Sequence, residues 1–451
     1  MRRQTLTDRA STPLADVILT HPWHQQGLNT MVGLIHALRR CGTDADLYDF
    51  QEKLFPLILE ADQRRAQVSR ILKRMGRRGG TLPADAPELG SGLDPHDIES
   101  WQVEDEVFER VARQLRSIGD ALAWRAFGYD RRMIVALSRS DPAGPMGDKA
   151  GVAGERAFIQ QRWADGEFAL HHDSTNVLRI GDHTIFHRDG TGDLHEHKTD
   201  PRRKRPRQEA LRIGTQRALA DGGVLPAGFA LQASGIVYRT HLDGLRNVLD
   251  LAAQRTGIQG GVVAPGRAVI AANQYTAARH HSADTFGERF TSELDRYRRK
   301  IGAAPPEPVL AMWSLDQVGR SPGRPPWAIY PVPADVAASL ITDAIFFAVL
   351  MKPAAVTDAL HKAGVASRWL QPLDQPVDMT TSLLEVGTAS RRPGETRIVW
   401  SQLSPDAIYS LMLEFVDLSA WSRQVAWCLE QTVDRDVRPW PLFADEGKTW
   451  A

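Results

Sequence analysis

Residues 182–198, DHTIFHRDGTGDLHEHK, constrain the fold of this chain more than any other stretch. Arg188-Asp189-Gly190-Thr191 reads as a turn between two strand-like runs, residues 183–187 and 193–199. An Asp-Gly pair between such runs signals a β-hairpin, because glycine accepts the positive φ that other residues resist. Side chains alternate across a strand, so parity sorts the ribbon into two faces. Asp182, Thr184, Phe186, Leu194, Glu196 and Lys198 share one face; His183, Ile185, His187, Asp193, His195 and His197 share the other. A turn centred near Asp189 sets Asp182 opposite Glu196. Facing Cβ atoms in such a pair lie roughly 5 Å apart. Two carboxylates at that separation repel unless a cation lies between them, and a divalent metal is the usual one. Lys198 points to the same side, where an ammonium can hold a hydroxide or neutralise a phosphorane-like charge.

Asp182 followed by Glu196-His197-Lys198 resembles the signature of the PD-(D/E)XK nuclease superfamily, the restriction-endonuclease-like fold. Gly181 stands where that family carries a proline. The resemblance implies an α/β (α+β) architecture: an α-β-β-β-α-β core with a mixed central sheet and helices on both faces. It implies hydrolysis of phosphodiester bonds, with DNA as the expected nucleic-acid partner. Asp182 and Glu196 would hold one or two Mg²⁺ (or Mn²⁺) ions, and Lys198 would steady the nucleophile or the transition state. Glu155, on the helix before the sheet, would complete the metal shell. Gln208 would match a glutamine that some subfamilies carry on the helix after the lysine strand, with Arg212 where they have an aromatic residue. Arg202, Arg203, Lys204, Arg205 and Arg207 form a basic run beside this site, placed to grip a phosphate backbone. Defence against foreign DNA is a role expected by fold-level analogy.

Two readings from other classes compete. One is a non-catalytic nucleic-acid-binding or assembly protein that keeps the nuclease-like fold. The other is a transition-metal protein, cupin-like, built on His183, His187, His195 and His197. Against the second, the nearest downstream acid is Asp200, and the chain lacks a run of short hairpins.

The rest of the chain divides by its loops. Residues 1–150 read as a helical N-terminal domain, with apolar residues at helical spacing over 28–38, 50–58 and 107–127. Residues 79–95 and 138–151, rich in Gly and Pro, read as loops. Residues 151–275 carry the nuclease-like order: a helix at 153–164, strands at 168–172 and 177–180, the hairpin, a helix at 208–220, a strand at 229–238, a helix at 241–255 and a strand at 260–271. Residues 276–451 read as mixed and largely helical, including helices at 336–351 and 404–431 and a strand at 327–330. Lys+Arg and Asp+Glu are both 55, so any basic surface must be local. Two cysteines, Cys41 and Cys428, exclude a disulfide framework and suit a reducing compartment, so a cytoplasmic location is expected. No run has the length and apolarity of a membrane span, so no membrane partner is expected; a homo-oligomer or a partner subunit is open.

Overall fold

The structure is a computed structural model. It describes residues 20–76, 82–84, 86–90, 92–139, 143–146, 151–188, 191–197, 206–226, 228–230, 234–237, 239–255, 257–280, 282–315, 323–370, 384–389, 398–433 and 438–439.

Four helices open the chain: α1 (Pro22–Arg40), α2 (Asp44–Met75), α3 (Ile98–Ala126) and α4 (Arg131–Leu137). Their starts follow from local chemistry. Pro22 supplies a first-turn residue without an N–H to satisfy. Thr43 and Asp46 cap α2 reciprocally, and the Asp97 carboxylate caps α3. Then come α5 (Val152–Ala164), β1 (Phe168–His171), β2 (His183–Phe186), β3 (Gly192–His195) and α6 (Pro206–Asp221). The remainder holds β4 (Phe229–Ala230), α7 (Leu242–Gln254), β5 (Ile258–Ala264), β6 (Arg267–Asn273), α8 (Gln274–His280), α9 (Ala283–Lys300) and β7 (Leu310–Trp313). It continues with α10 (Ala334–Ile341), β8 (Ile345–Met351), α11 (Pro353–Lys362), β9 (Ala366–Trp369), β10 (Leu384–Ala389), β11 (Ile398–Gln402), α12 (Pro405–Leu413), α13 (Leu418–Val433) and β12 (Arg438–Pro439).

Helices and strands are mixed, and the sheets are small. β1-β2-β3, β11-β10-β9 and β5-β6-β8-β7 are each antiparallel; β4 and β12 form a short parallel pair. One buried apolar cluster draws on Met31 in α1, Trp101 and Phe108 in α3, Phe347 in β8 and Trp421 in α13. A second cluster packs α9, through Phe290 and Tyr297, on the other face of the four-stranded sheet.

Several expectations change here. Residues 336–351 form a short helix and then a strand. β8 is buried along its whole length, with Phe347 and Val349 in the main core and Phe346 and Ala348 in the second. A strand covered on both faces reads as a continuous apolar run, which alternation cannot separate from a buried helix. Residues 404–431 are two helices, broken where Phe415 takes a positive φ of 58°. Trp327–Ile329 is a 3₁₀ turn rather than a strand. Residues 177–180 contribute a single bridge, between Ser138 and Leu178. The strand expected at 229–238 is described only as β4, which pairs with β12, and the one expected at 260–271 is a hairpin, β5–β6, in a separate sheet. Among the described residues the sheet that bears the hairpin therefore has three antiparallel strands and no parallel fourth.

Candidate functional site

The hairpin has the expected register. His183 pairs with His195, Thr184 with Leu194, Ile185 with Asp193 and Phe186 with Gly192. β1 pairs along the other side of β2, from Phe168 opposite Phe186 to His171 opposite His183. Thr184, Phe186 and Leu194 lie on the face turned to the main core, where Phe186 stacks on Phe168 with centroids 5.6 Å apart. Ile185 lies on the other face and packs with Ile159 of α5.

Asp182 sits at the open end of this hairpin. Its amide donates to the His195 carbonyl (2.8 Å) and its carbonyl accepts from His172 N (2.9 Å). One more step of the same register places it opposite Glu196, which is half-buried. Asp182 Oδ2 accepts from the His197 amide at 2.7 Å. Burial, together with the nearby carboxylates of Glu155, Asp173 and Glu196, pushes the Asp182 carboxyl up to about 6, against the pull of that amide.

Glu155 reaches this end from α5. It is buried, and its Oε2 lies 3.0 Å from His171 Nε2. His171 is the strand partner of His183, the neighbour of Asp182. Beside Glu155, a Cβ on Gly154 would stand 2.9 Å from His197 Nε2.

Gly181 has φ +76°, a left-handed conformation closed to proline. Its carbonyl accepts from His172 Nδ1 at 3.0 Å, while His172 Nε2 accepts from the Thr184 hydroxyl at 2.8 Å. Burial lowers His172 to about 3, so the ring is neutral and fixes the entry to the hairpin.

Lys198, Arg202, Arg203, Lys204 and Arg205 lie outside the described residues. Arg207 and Gln208 are exposed in the first turn of α6. Two further α6 residues touch the hairpin. Arg212 Nη1 donates to the Leu194 carbonyl (2.6 Å); Gln216 Oε1 accepts from the Leu194 amide (2.8 Å) and its Nε2 donates to the Gly192 carbonyl (2.9 Å). These side chains satisfy the outer edge of β3, where a fourth strand would otherwise pair. Nothing in the sequence marks that role. The His171-His172 doublet at the end of a strand was a signal that could have been read.

The histidine face is a packed layer. Phe158 stacks on His195 with centroids 4.3 Å apart, and His183 lies 5.1 Å from the same ring. His183 is fully buried and neither of its ring nitrogens has a hydrogen-bond partner among the described residues; burial holds its pKa far below the usual histidine range. His187 sits apart, paired with Glu167 (2.8 Å) and Asp193 (3.1 Å).

Among the described residues, no group of three or more His, Cys, Asp or Glu side chains is disposed to hold a metal ion. Magnesium is often held by only one or two carboxylates, with waters and substrate phosphates completing its shell. Asp182 and Glu196, hard oxygen donors whose mutual repulsion a divalent cation would relieve, fit that pattern by chemistry. Among the described residues no helix is long and apolar enough to cross a membrane. Comparison with protein-family models, curated proteins and solved structures found no match.

Proposed function

We propose that the chain is a divalent-metal-dependent nuclease of the PD-(D/E)XK kind that hydrolyses phosphodiester bonds in DNA. The observation that carries this reading is the Asp182 carboxyl, held at about 6 by burial and by Glu155, Asp173 and Glu196 at one end of a hairpin. A cluster of like charges with a strongly shifted member is characteristic of sites that work on a ligand. Asp182 and Glu196 would hold Mg²⁺ or Mn²⁺. Such an ion supplies a bound water of lowered pKa and charge to shield phosphate oxygens. Glu155, fixed by His171, sets the field around Asp182. Lys198, two residues past Glu196, steadies the attacking oxygen, and the basic run at 202–207 holds the backbone.

Supercoiled plasmid incubated with the protein and Mg²⁺ or Mn²⁺ tests the reading. Nicking should vanish in EDTA and fall at least about a hundredfold in Asp182→Asn, Glu196→Gln and Lys198→Ala, since even outer partners of a metal are worth ten- to a hundredfold. Cleavage indifferent to all three substitutions would overturn it. DNA retention without cleavage would favour the non-catalytic binding protein, for which the three antiparallel strands described around the hairpin speak.

A further inference from the structure

Away from the hairpin acids, a cavity of about 470 Å³ opens between the ends of α1 and α3, the middle of α7 and the segment that follows the Trp327–Ile329 turn. Three guanidinium groups reach it from three helices: Arg39 of α1, Arg125 of α3 and Arg246 of α7. All three residues keep accessible surface, and among the described residues no Asp or Glu lines the cavity. Like charges around one small space repel one another, and a bound anion relieves that repulsion.

The partners of these groups are almost all neutral. Arg39 donates to the carbonyls of Ala328, Tyr330 and Val332, which fixes its guanidinium plane but leaves its charge uncancelled. Burial pulls its pKa below the usual range, and the nearby Tyr129 phenol offsets only part of that. Arg125 spends two of its five N–H groups, on the Tyr129 hydroxyl (3.1 Å) and on the Cys41 carbonyl. Asp46, an acid whose charge also feels Arg125, is already bonded to the Gly42 and Thr43 amides. Arg246 Nε lies 3.7 Å from Asp250 Oδ2, one turn along α7, and its side chain is 52 % exposed.

Tyr129 adds an independent observation. It takes a positive φ of 63°, directly after Gly128 at 60°, a strained conformation for an aromatic residue and one that recurs at ligand sites. That backbone brings its hydroxyl to Arg125 at the cavity wall. Among the described residues the hydroxyl accepts from Arg125 and donates to nothing, so its proton is left for a ligand. Guanidinium forks with a hydroxyl donor form a set suited to a phosphate group. The rest of the wall is largely apolar, with Ile329, Val332, Pro331 and Pro333, and the volume lies within the range of small-molecule sites.

We propose that this cavity binds a small organic phosphate. Arg125, Arg246 and the Tyr129 hydroxyl receive the phosphate beside the fixed charge of Arg39, and the organic part lies against Ile329 and the two prolines. The site shares no residue with the hairpin acids and does not depend on their role.

The test uses the full chain in EDTA, at constant ionic strength set by chloride, titrated calorimetrically with phenyl phosphate and, in parallel, with inorganic phosphate and benzoate. Saturable one-to-one binding of phenyl phosphate is expected, tighter than that of inorganic phosphate because the ring gains the apolar wall, and tighter than that of benzoate. Tyr129→Phe keeps the ring and loses the hydroxyl, and Arg246→Ala changes an exposed position. Each should weaken phenyl phosphate binding about tenfold, the scale of a lost charge-assisted hydrogen bond. Arg125→Met should abolish binding; if that variant fails to fold, the other two still decide. No saturable heat with phenyl phosphate, benzoate binding as tightly as phenyl phosphate, or unchanged affinity in both Tyr129→Phe and Arg246→Ala would overturn the proposal.

Discussion

Two carboxyls are pushed up to about 6, Asp120 and Asp182, and their surroundings differ in kind. Asp120 is buried among donors: the Asn176 amide and side chain and the Val177 amide all bond to it. It is a structural acid that ties α3 to the loop before β2. Among the described residues Asp182 accepts from the His197 amide and has three acids around it. Its folded pKa lies above the unfolded value near 3.9, so the native state binds its proton more tightly between about pH 4 and 6. Stability from this group therefore falls as pH rises through that window and stays reduced at neutral pH. Asp182→Asn keeps an acceptor for the His197 amide and removes the charge. Urea unfolding should show it about 1–2 kcal/mol more stable than the parent at pH 7, after allowance for partial exposure, with the gain shrinking towards pH 4. A variant less stable than its parent at pH 7 would mean the acid serves the fold and not a ligand. Under the metal reading, Mg²⁺ should raise the melting temperature of the parent and not of the variant.

The elements meet at a few points where no larger residue fits. Gly119, inside α3, lies against the 3₁₀ turn that follows β1, and a Cβ there would stand 1.8 Å from the Ser174 carbonyl oxygen. Gly33, exposed in α1, has open space around the same position. Both are helical glycines, for which alanine is intrinsically better by up to about 1 kcal/mol. The two substitutions should therefore differ in sign. Gly33→Ala should stabilise by up to that amount, while Gly119→Ala should destabilise by more than about 2 kcal/mol, since a backbone carbonyl cannot move aside as a side chain can. Thermal and urea midpoints of the two variants check the pair. This contrast also marks what the sequence could carry. The hairpin was legible because its turn, its alternation and its register are local: an Asp-Gly pair and a parity rule set His183 against His195. The need for Gly119 is not local, since it arises from Ser174 in another element. Gln216 and Arg212 look like ordinary helix-surface residues until β3 lies beside them. β8 was hidden by its own burial, and the break at Phe415 carries no glycine to announce it.

At the scale of the whole chain, segments divided by loops in the sequence share one core and are also joined by buried charge. Arg110 of α3 meets Asp343, between α10 and β8, at 2.8 Å. Arg131 of α4 meets Glu414, at the end of α12, at 2.6 Å and 3.3 Å, and neither side chain is more than slightly exposed. Arg39 of α1 adds bonds to the carbonyls of Ala328, Tyr330 and Val332. The N-terminal helices thus share one buried cluster with the C-terminal half, α1 packing on α10 and α3 on the Trp327–Ile329 turn. Unfolding should then be one transition: tryptophan fluorescence and far-ultraviolet circular dichroism should give coincident urea midpoints. Removing one partner of a buried pair is more damaging than removing both, because the charge left behind loses its counterpart and cannot regain water. Arg110→Met should cost about 3–5 kcal/mol and shift both midpoints together, while Arg110→Met/Asp343→Asn should recover part of that loss. Separate midpoints for the two probes, or a shift in only one of them, would show instead that the helical part and the sheet hold themselves together independently, with the buried pairs merely lying where they touch.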